Sequence, residues 1–378
     1  MSTPNEKRDL LVMKLLHYFI TERNYNPVVV HGIQNEIWLE NMNEEFKIVR
    51  IVMNYIHNKE QLEFDDFKVS RLTKQIKLKT FTFKMKTLSL YLDLNSDVEL
   101  FDNKNNYHVD LRDEKILKNN EIIKKYYGDI TQKLKFTEEG ALLYKRINND
   151  ILKKNLDESE KLNDLFSPKK PIVTYVLIGI ITLVMLLMYI LGNGSLNIKT
   201  LYNFGALVKD HNMLRIISSI FIHIGIIHYM MNVWALKILG EQTEKFYGHI
   251  KMFIIFLYSG IIGNLLSVIL MNNNSISAGA SGAIFGLMSS ILYFALNQRT
   301  YMAEALKKEI LPVIIINILI GFSLSGINMF AHLGGLIGGF LISSAVGVKY
   351  KTSKFERINS IICSVILIVL LTYLGYFC

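Results

Sequence analysis

Cysteine is nearly absent from this sequence of 378 residues, which contains only Cys363 and Cys378. Both lie in or after the last hydrophobic stretch, so they offer neither a disulfide framework nor the spacing of a metal site. The first ten residues are polar and lack the basic and then apolar pattern of a cleaved signal peptide. These absences exclude a disulfide-rich scaffold and indicate that the N-terminal part stays on the side of synthesis.

Charged residues are missing from long stretches of the second half. Residues 1–170 hold 29 Lys and Arg and 27 Asp and Glu, whereas residues 171–378 hold 13 and 6. No charge lies between Lys170 and Lys199, and none lies from Met252 to Gln298. Apolar runs of this length exceed what a globular core needs and are typical of membrane spans. The net charge of +9 arises mostly in this half, which favours lipid-facing loops and gives no sign of a nucleic-acid partner.

The sequence predicts four regions: a soluble α/β or α+β domain at 1–165, a linker at 166–171, a six-helix membrane core at 172–347, and a basic loop with an additional C-terminal helix at 348–378. The first region has a mixed pattern of helix and strand. The segments behind this prediction are an amphipathic run at 7–23, strand-like runs at 28–31, 36–39 and 46–53, and a helical run from 138 toward 165. Its histidines are scattered and are interpreted as structural; they are His17, His31, His57 and His108.

The second half is predicted to be an all-α polytopic membrane bundle of about seven spans. A helix rising 1.5 Å per residue needs about twenty apolar residues to cross hydrocarbon. The predicted spans are 172–191, 218–240, 252–271, 279–296, 310–324, 329–347 and 358–377. The break between the third and fourth spans is inferred from the polar residues Asn272, Asn273, Asn274 and Ser275.

Basic residues predict the orientation of the bundle, because short loops on the cytoplasmic side retain positive charge. They cluster before the first span and in the loops after the fourth and sixth, which predicts a cytoplasmic N-terminus in a cell membrane. The residues concerned are Lys169, Lys170, Arg299, Lys307, Lys308, Lys349, Lys351, Lys354 and Arg357.

Four polar residues stand out within the spans, where polar groups are costly and most often functional. Ser281 and His332 lie near the starts of the fourth and sixth spans. Both spans run in the same direction, so the two side chains are predicted at a similar depth. His228 and Asn232 are spaced i, i+4 and share a face of the second span.

Ser281 lies in the sequence Gly279-Ala280-Ser281-Gly282, where small residues allow close backbone approach at a helix start. Free amides and the positive end of the helix dipole would face an oxyanion formed beside this serine. Serine needs a neighbouring base to act as a nucleophile. His332 is the nearest base at that depth, and Gly335 and Gly339 leave room for the two spans to pack.

These motifs resemble the signatures of rhomboid intramembrane proteases. The resemblance covers about residues 172–347 and rests on Gly279-Ala280-Ser281-Gly282, on Ala331-His332-x-x-Gly335-x-x-x-Gly339, and on His223-x-x-x-x-His228-x-x-x-Asn232. The additional C-terminal span resembles the six-plus-one layout of prokaryotic members. The soluble domain somewhat resembles the one that precedes the core in some Gram-positive rhomboids.

The resemblance implies a role for each matching residue. Ser281 would attack, His332 would be the general base, and Asn232, His228 and the Ser281 amide would form the oxyanion hole. Phe285 matches the aromatic position that packs on the catalytic imidazole. Arg215 matches a loop arginine, although Leu214 replaces the usual tryptophan. The only Asp after residue 170 is Asp210, so a dyad without a carboxylate is expected, with no metal or cofactor.

The expected function is therefore an endopeptidase that cuts transmembrane or membrane-adjacent segments near the outer leaflet of the bacterial plasma membrane. Expected partners are the substrates, the bilayer and a cytosolic ligand of the N-terminal domain. Simpler interpretations remain open for single motifs: small residues around Ser281 as packing, Phe285 as core, His228 with Asn232 as an interhelical pair, and His223 as structural or interfacial. A proton-relaying or metal-binding transporter using His223, His228 and His332 is the alternative function.

Overall fold

The structure is a computed structural model that describes residues 4–376, apart from 31, 81, 83, 104, 113–116, 118, 119, 168, 211, 273, 274 and 324–326. The chain divides into two compact units, Met1–Lys161 and Leu162–Cys378. His31, Asn273, Asn274 and Cys378 of the sequence analysis lie outside the described residues.

The first unit is built on a five-stranded mixed sheet. Its strands are β1 Asn26–Val28, β2 Glu36–Glu40, β3 Phe46–Val52, β4 Lys86–Tyr91 and β5 Asn106–Asp110. Its helices are α1 Pro4–His17, followed by a π-helical turn Tyr18–Glu22, α2 Lys59–Thr80, α3 Glu121–Tyr126, α4 Ile130–Lys133 and α5 Gly140–Phe166. The strand order in the sheet is β1-β2-β3-β4-β5. Strands β1 to β3 pair antiparallel, whereas β3, β4 and β5 are parallel. A parallel pair needs a crossover connection, and helix α2 supplies it between β3 and β4.

A buried ion network joins the sheet of this unit to α2. Arg50 of β3 donates to Asp65 of α2 at 2.6 and 2.7 Å and to Glu36 of β2 at 2.7 Å. Lys68 lies 2.6 Å from Glu36 and 2.8 Å from Asp65. Burial by itself would raise the pKa of both carboxyl groups, but their hydrogen bonds and ion pairs with Arg50 and Lys68 lower it instead. The charges are therefore compensated within the unit.

The second unit is helical. Its helices are α6 Ile172–Ile190, α7 Ile198–Phe204, α8 Arg215–Ser218 with a 3-10 turn Ser219–Phe221, α9 Ile226–Tyr247, α10 His249–Leu270, α11 Ser281–Asn297, α12 Arg299–Ala305 with a π-helical turn Leu306–Ile310, α13 Leu311–Ser323, α14 Met329–Val346 and α15 Lys354–Tyr376. Among the described residues, four helices are long and apolar enough to cross a membrane by themselves: α6, α10, α14 and α15. A fifth span results if α8, its 3-10 turn and α9 are counted together, and α11 is a shorter apolar helix.

Each of the seven predicted spans overlaps a helix, although only four of the described helices are long and apolar enough to cross a membrane by themselves. The fold class of a helical membrane bundle after a mixed domain is confirmed. The second span was predicted as one segment at 218–240, and that is wrong: the chain bends by 90° before α9. Gly225, with φ +77°, precedes α9 and adopts the left-handed conformation that favours glycine. The helix then continues to Tyr247 and so includes Glu241 and Glu244.

Helices α10, α11 and α14 pack closely because small residues face one another. A Cβ added to Gly335 of α14 would lie 1.9 Å from the Gly282 carbonyl oxygen of α11. A Cβ on Gly339 would lie 2.4 Å from the Cα of Gly286. Close backbone approach of this kind is typical of membrane helices with glycine at the contact. It brings the first turns of α11 and α14 side by side.

Candidate active site

Ser281 is the first residue of α11, at the end of a loop held by several backbone bonds. Ser277 and Leu207 exchange two backbone hydrogen bonds of 2.8 and 2.9 Å. The Gly279 amide donates to the Ser219 carbonyl at 2.9 Å, and Gly279 has φ +141°. The first amides of a helix have no intrahelical partner. Ser281 therefore presents its hydroxyl next to a group of outward-facing N–H donors.

His332 lies in the first turn of α14 and contacts Ser281 directly. Its Nε2 atom is 2.8 Å from Ser281 Oγ, which is an ordinary hydrogen-bond distance. The imidazole stacks on Phe285, one turn after Ser281, with ring centroids 4.2 Å apart and an interplanar angle of 14°. Stacking of this kind fixes the plane of the imidazole. These three residues from two helices form a compact group.

The second ring nitrogen of His332 has no hydrogen-bond partner among the described residues. If Nε2 accepts from the serine hydroxyl, Nδ1 carries the ring proton. In a triad, a carboxylate would hold that proton and fix the tautomer. Here the imidazole is held by its hydrogen bond to Ser281 and by the stacking contact with Phe285. Among the described residues, Ser281 and His332 are thus paired without a carboxylate on the imidazole.

His228 and Asn232 lie one turn apart on α9, and His228 approaches the loop before Ser281. A Cβ on Gly279 would lie 2.8 Å from Cε1 of His228, so this imidazole lies against the loop before Ser281. Asn232 is 4% exposed, and its Nδ2 atom donates to the His228 carbonyl at 2.9 Å. That nitrogen carries a second N–H. Among the described residues Asn232 Oδ1 has no partner, and one N–H of the amide remains after the bond to the His228 carbonyl.

His223 lies against the loop that precedes Ser281 and is 1% exposed. Its Nε2 atom accepts a hydrogen bond from the Ala280 amide at 3.4 Å. Its ring centroid is 5.4 Å from that of His228 and 6.0 Å from that of Tyr229. Through these contacts His223 lies against the backbone of Ala280, and none of them is with the Ser281 hydroxyl.

Arg215 is buried, but its contacts lie within the segment before α9. It donates to Asp210 at 2.7 Å, to the Tyr202 carbonyl at 2.8 Å and to the Ala206 carbonyl at 3.0 Å. Its guanidinium also lies 4.0 Å from the Tyr202 ring centroid. Arg215 thus holds the segment that contains Leu207, whose backbone pairs with Ser277. Its influence on Ser281 is indirect.

Sequence reasoning missed two polar residues next to the site, Asn328 and Ser277. Asn328 is the N-cap of α14, and an Asn just before an apolar helix is a signal that could have been recognised. Ser277 carries no such signal, because its partners come from distant parts of the chain. Among the described residues, no three His, Cys, Asp or Glu side chains are grouped as metal ligands.

Taken together, the fold and the site define a helical membrane protein in which a partly exposed serine is hydrogen-bonded to a buried histidine. A family model described as the rhomboid domain matches residues 210–349. The chain is 37% identical to "Rhomboid protease GluP" of Bacillus subtilis over 215 residues, which are 56% of this chain and 42% of that protein. The rhomboid relative YdcA of the same organism is 34% identical over 142 residues, 38% of this chain and 70% of that protein.

The match extends beyond bacteria. "RHOMBOID-like protein 1" of Arabidopsis thaliana is 34% identical over 178 residues, which are 45% of this chain and 44% of that protein. The chain spans less than half the length of this protein and of GluP. The chain belongs to the rhomboid family. The resemblance inferred from the motifs is confirmed, and the family together with the apolar helices makes this a multi-pass membrane protein.

Proposed function

We propose that the second unit is an intramembrane serine endopeptidase with Ser281 as the nucleophile and His332 as the general base. The observation that carries the proposal is the distance of 2.8 Å between Ser281 Oγ and His332 Nε2. The stacking of His332 on Phe285 supports it, because a dyad without a carboxylate needs another means of orienting the imidazole. Membership of a family whose named members include proteases supports it further.

The geometry supports a two-stage acyl transfer. Ser281 Oγ would attack the carbonyl carbon of the scissile peptide bond while His332 Nε2 takes the hydroxyl proton. The tetrahedral intermediate would collapse by breaking the C–N bond, and His332 would give the proton to the leaving amine. Water would then attack the acyl ester with His332 again as base, which releases the new carboxyl group and restores Ser281. Each proton that His332 removes is returned within the cycle.

The oxyanion of the intermediate would be held by the Ser281 amide, Asn232 and His228. Asn232 keeps one N–H of its amide free after its bond to the His228 carbonyl. His228 lies against Gly279, two residues before Ser281, which supports a role beside the carbonyl group that Ser281 would attack. Donors fixed in advance around a developing negative charge are often the largest single contribution to catalysis. Loss of one such donor lowers kcat by about 10²-fold or more.

Substrates would be transmembrane or membrane-adjacent segments of other proteins, cleaved after a small residue. We place the protein in the bacterial plasma membrane with its N-terminus in the cytoplasm and Ser281 toward the extracytoplasmic side. The basic residues of the loops support this orientation. The first unit would bind a cytosolic ligand or partner that recruits substrates or regulates cleavage.

Cleavage by purified protein in liposomes tests the proposal. A panel of transmembrane substrates is expected to be cut by the wild type and left intact by Ser281→Ala and by His332→Ala. Asn232→Ala is expected to retain a low rate. EDTA is expected to leave cleavage unchanged; activity lost with EDTA and restored by a divalent metal would instead support the alternative of a histidine metal site.

A further inference from the structure

Asn328 joins the beginning of α14 to its own helix and to two other segments. Its side-chain oxygen accepts a hydrogen bond from the Ala331 amide at 3.2 Å, as an N-cap does. The His332 amide bonds to the Asn328 carbonyl at 3.4 Å. The position of Asn328 therefore sets where α14 begins and how far His332 projects along the helix.

The amide nitrogen of the same side chain donates to two serine hydroxyls. Asn328 Nδ2 lies 2.8 Å from Ser277 Oγ and also bonds to Ser267 Oγ of α10. A side-chain amide has one carbonyl oxygen and two N–H groups. Each of these groups has a partner at Asn328, on three different parts of the unit. One side chain thus fixes three elements relative to one another.

The bond to Ser277 matters because Ser277 lies four residues before Ser281 in the same loop. The backbone of Ser277 is paired with Leu207, and the Gly279 amide bonds to Ser219. Between these bonds and the start of α11, the loop has little freedom. The side chain of Asn328 attaches this loop to the helix that carries His332.

We propose that Asn328 is a positioning residue, which sets the distance between Ser281 and His332 by tying the 277–280 loop to the N-terminus of α14. This inference rests on the proposed function, since it concerns the same reaction. Asn328 does not touch the reacting atoms and acts through Ser277 and α14. Misplacement of reacting groups by about 1 Å can lower the rate by about 10²-fold. A fall in kcat of about 10- to 100-fold is therefore expected when the link is lost.

Two substitutions remove the hydrogen bond between Asn328 and Ser277, one at each partner. Asn328→Ser keeps a good N-cap residue but is too short to reach the two serines. Ser277→Ala removes the partner in the loop. Each is expected to lower kcat at least tenfold with KM within about twofold, and the double variant is expected to be no slower than the slower single one, because both remove one interaction. Ser267→Ala is the matched control: it removes the bond to α10, which carries neither reacting group, and kcat is expected to stay within about threefold.

The positioning role of Asn328 is tested by cleavage kinetics of the full chain in liposomes. The thermal midpoint of each variant is measured alongside. Single variants with wild-type kcat, effects that multiply in the double variant, or a change confined to KM would overturn the positioning role. If Asn328→Ser fails to fold, Ser277→Ala compared with Ser267→Ala gives the answer. A wild-type protein that cleaves nothing contradicts the proposed function itself, whereas an active wild type with unaffected variants contradicts only the role of Asn328.

Discussion

Phe285 provides the aromatic face against which the His332 imidazole lies, and the proposed mechanism assigns it the task of orienting that ring. Its ring lies 4.2 Å from that of His332, whose Nδ1 has no partner among the described residues. An aromatic pair is worth about 0.5–1.5 kcal/mol beyond its buried area, which corresponds to a fall in kcat of up to about tenfold if the ring orientation is lost. Phe285→Leu is expected to show this fall in liposome cleavage, and Phe285→Tyr, which keeps the ring, to remain close to wild type. Equal rates for the two variants would contradict the role of the stacked ring.

Gly335 lies where α14 approaches the backbone of α11 most closely among the contacts described above, and its substitution can be predicted. Its added Cβ would meet the backbone of Gly282 at 1.9 Å, so Gly335→Ala must push α14 away from α11. Overpacking of this kind costs about 1–3 kcal/mol, and it also separates His332 from Ser281. Thermal unfolding in detergent and liposome cleavage should both be impaired. Gly179→Ala is the control, since a Cβ there meets nothing within 4 Å; a similar loss in both variants would contradict the packing argument.

Part of the site could be predicted from the sequence, because the positions of Ser281 and His332 within their apolar stretches indicate a similar depth in the membrane. Ser281 and His332 each lie near the start of an apolar stretch, and stretches that run in the same direction place such residues at one level. The spacing i, i+4 likewise indicated that His228 and Asn232 share a face of their helix. The link from Asn328 to Ser277 could not be predicted, since it joins residues 51 positions apart through tertiary packing alone.

Among the elements, helix α6 has the free amides of its N-terminus capped by a side chain of another helix. Glu244 of α9 is fully buried and accepts from the Val173 and Thr174 amides at 2.8 and 2.9 Å and from the Thr174 hydroxyl at 2.7 Å. These amides are among those that a helix leaves without partners. A carboxylate there also faces the positive end of the helix dipole. Glu244 thus replaces the missing local cap of α6.

Glu244→Ala is therefore expected to destabilise the second unit. Each buried donor left without a partner costs about 1–3 kcal/mol, and thermal unfolding in detergent measures the loss. Glu241→Ala is the matched control on the same helix, since Glu241 accepts from the exposed Tyr175 hydroxyl and surface changes stay within about 0.5 kcal/mol. Equal midpoints for the two variants would show that the cap contributes nothing.

Some helices and strands could be predicted from the sequence pattern and others could not. The helical run predicted from 138 toward 165 corresponds to α5, Gly140–Phe166. Helix α2 and strands β4 and β5 were not predicted, because charged residues interrupt the apolar pattern of α2 and the strands are short. The bend before α9 was also missed. It depends on the conformation of Gly225, which an apolar run does not reveal.

On the scale of the whole molecule, acid is expected to destabilise the first unit through its ion network. Arg50 and Lys68 lower the pKa of Glu36 and Asp65 despite their burial. Groups with a depressed folded-state pKa stabilise above their unfolded values, about 4, and lose that contribution as the pH falls through the folded values. Trp38 bonds to Glu36 and can report on this network. Since the chain has two Trp, Trp234→Phe leaves Trp38 as the only one.

Denaturant unfolding of the full chain, followed by Trp38 fluorescence, checks this expectation. Arg50→Met leaves the buried carboxylates without their main partner, which costs about 3–5 kcal/mol at neutral pH. That deficit is expected to shrink as the pH falls from 7 to 4, because the burial that remains in the variant raises the pKa of the two carboxyl groups and favours their protonated form. A deficit that stays constant from pH 7 to pH 4 would contradict the role assigned to the network.

The central claim is that Ser281 is a nucleophile activated by His332, and a serine-reactive fluorophosphonate tests it most directly. The full chain in liposomes is incubated with the probe, and the modified residue is mapped by mass spectrometry. We predict modification of Ser281 in the wild type and almost none in His332→Ala, whose fold is checked by its thermal midpoint. Modification of a different serine, or equal modification of Ser281 in folded His332→Ala, would contradict the account.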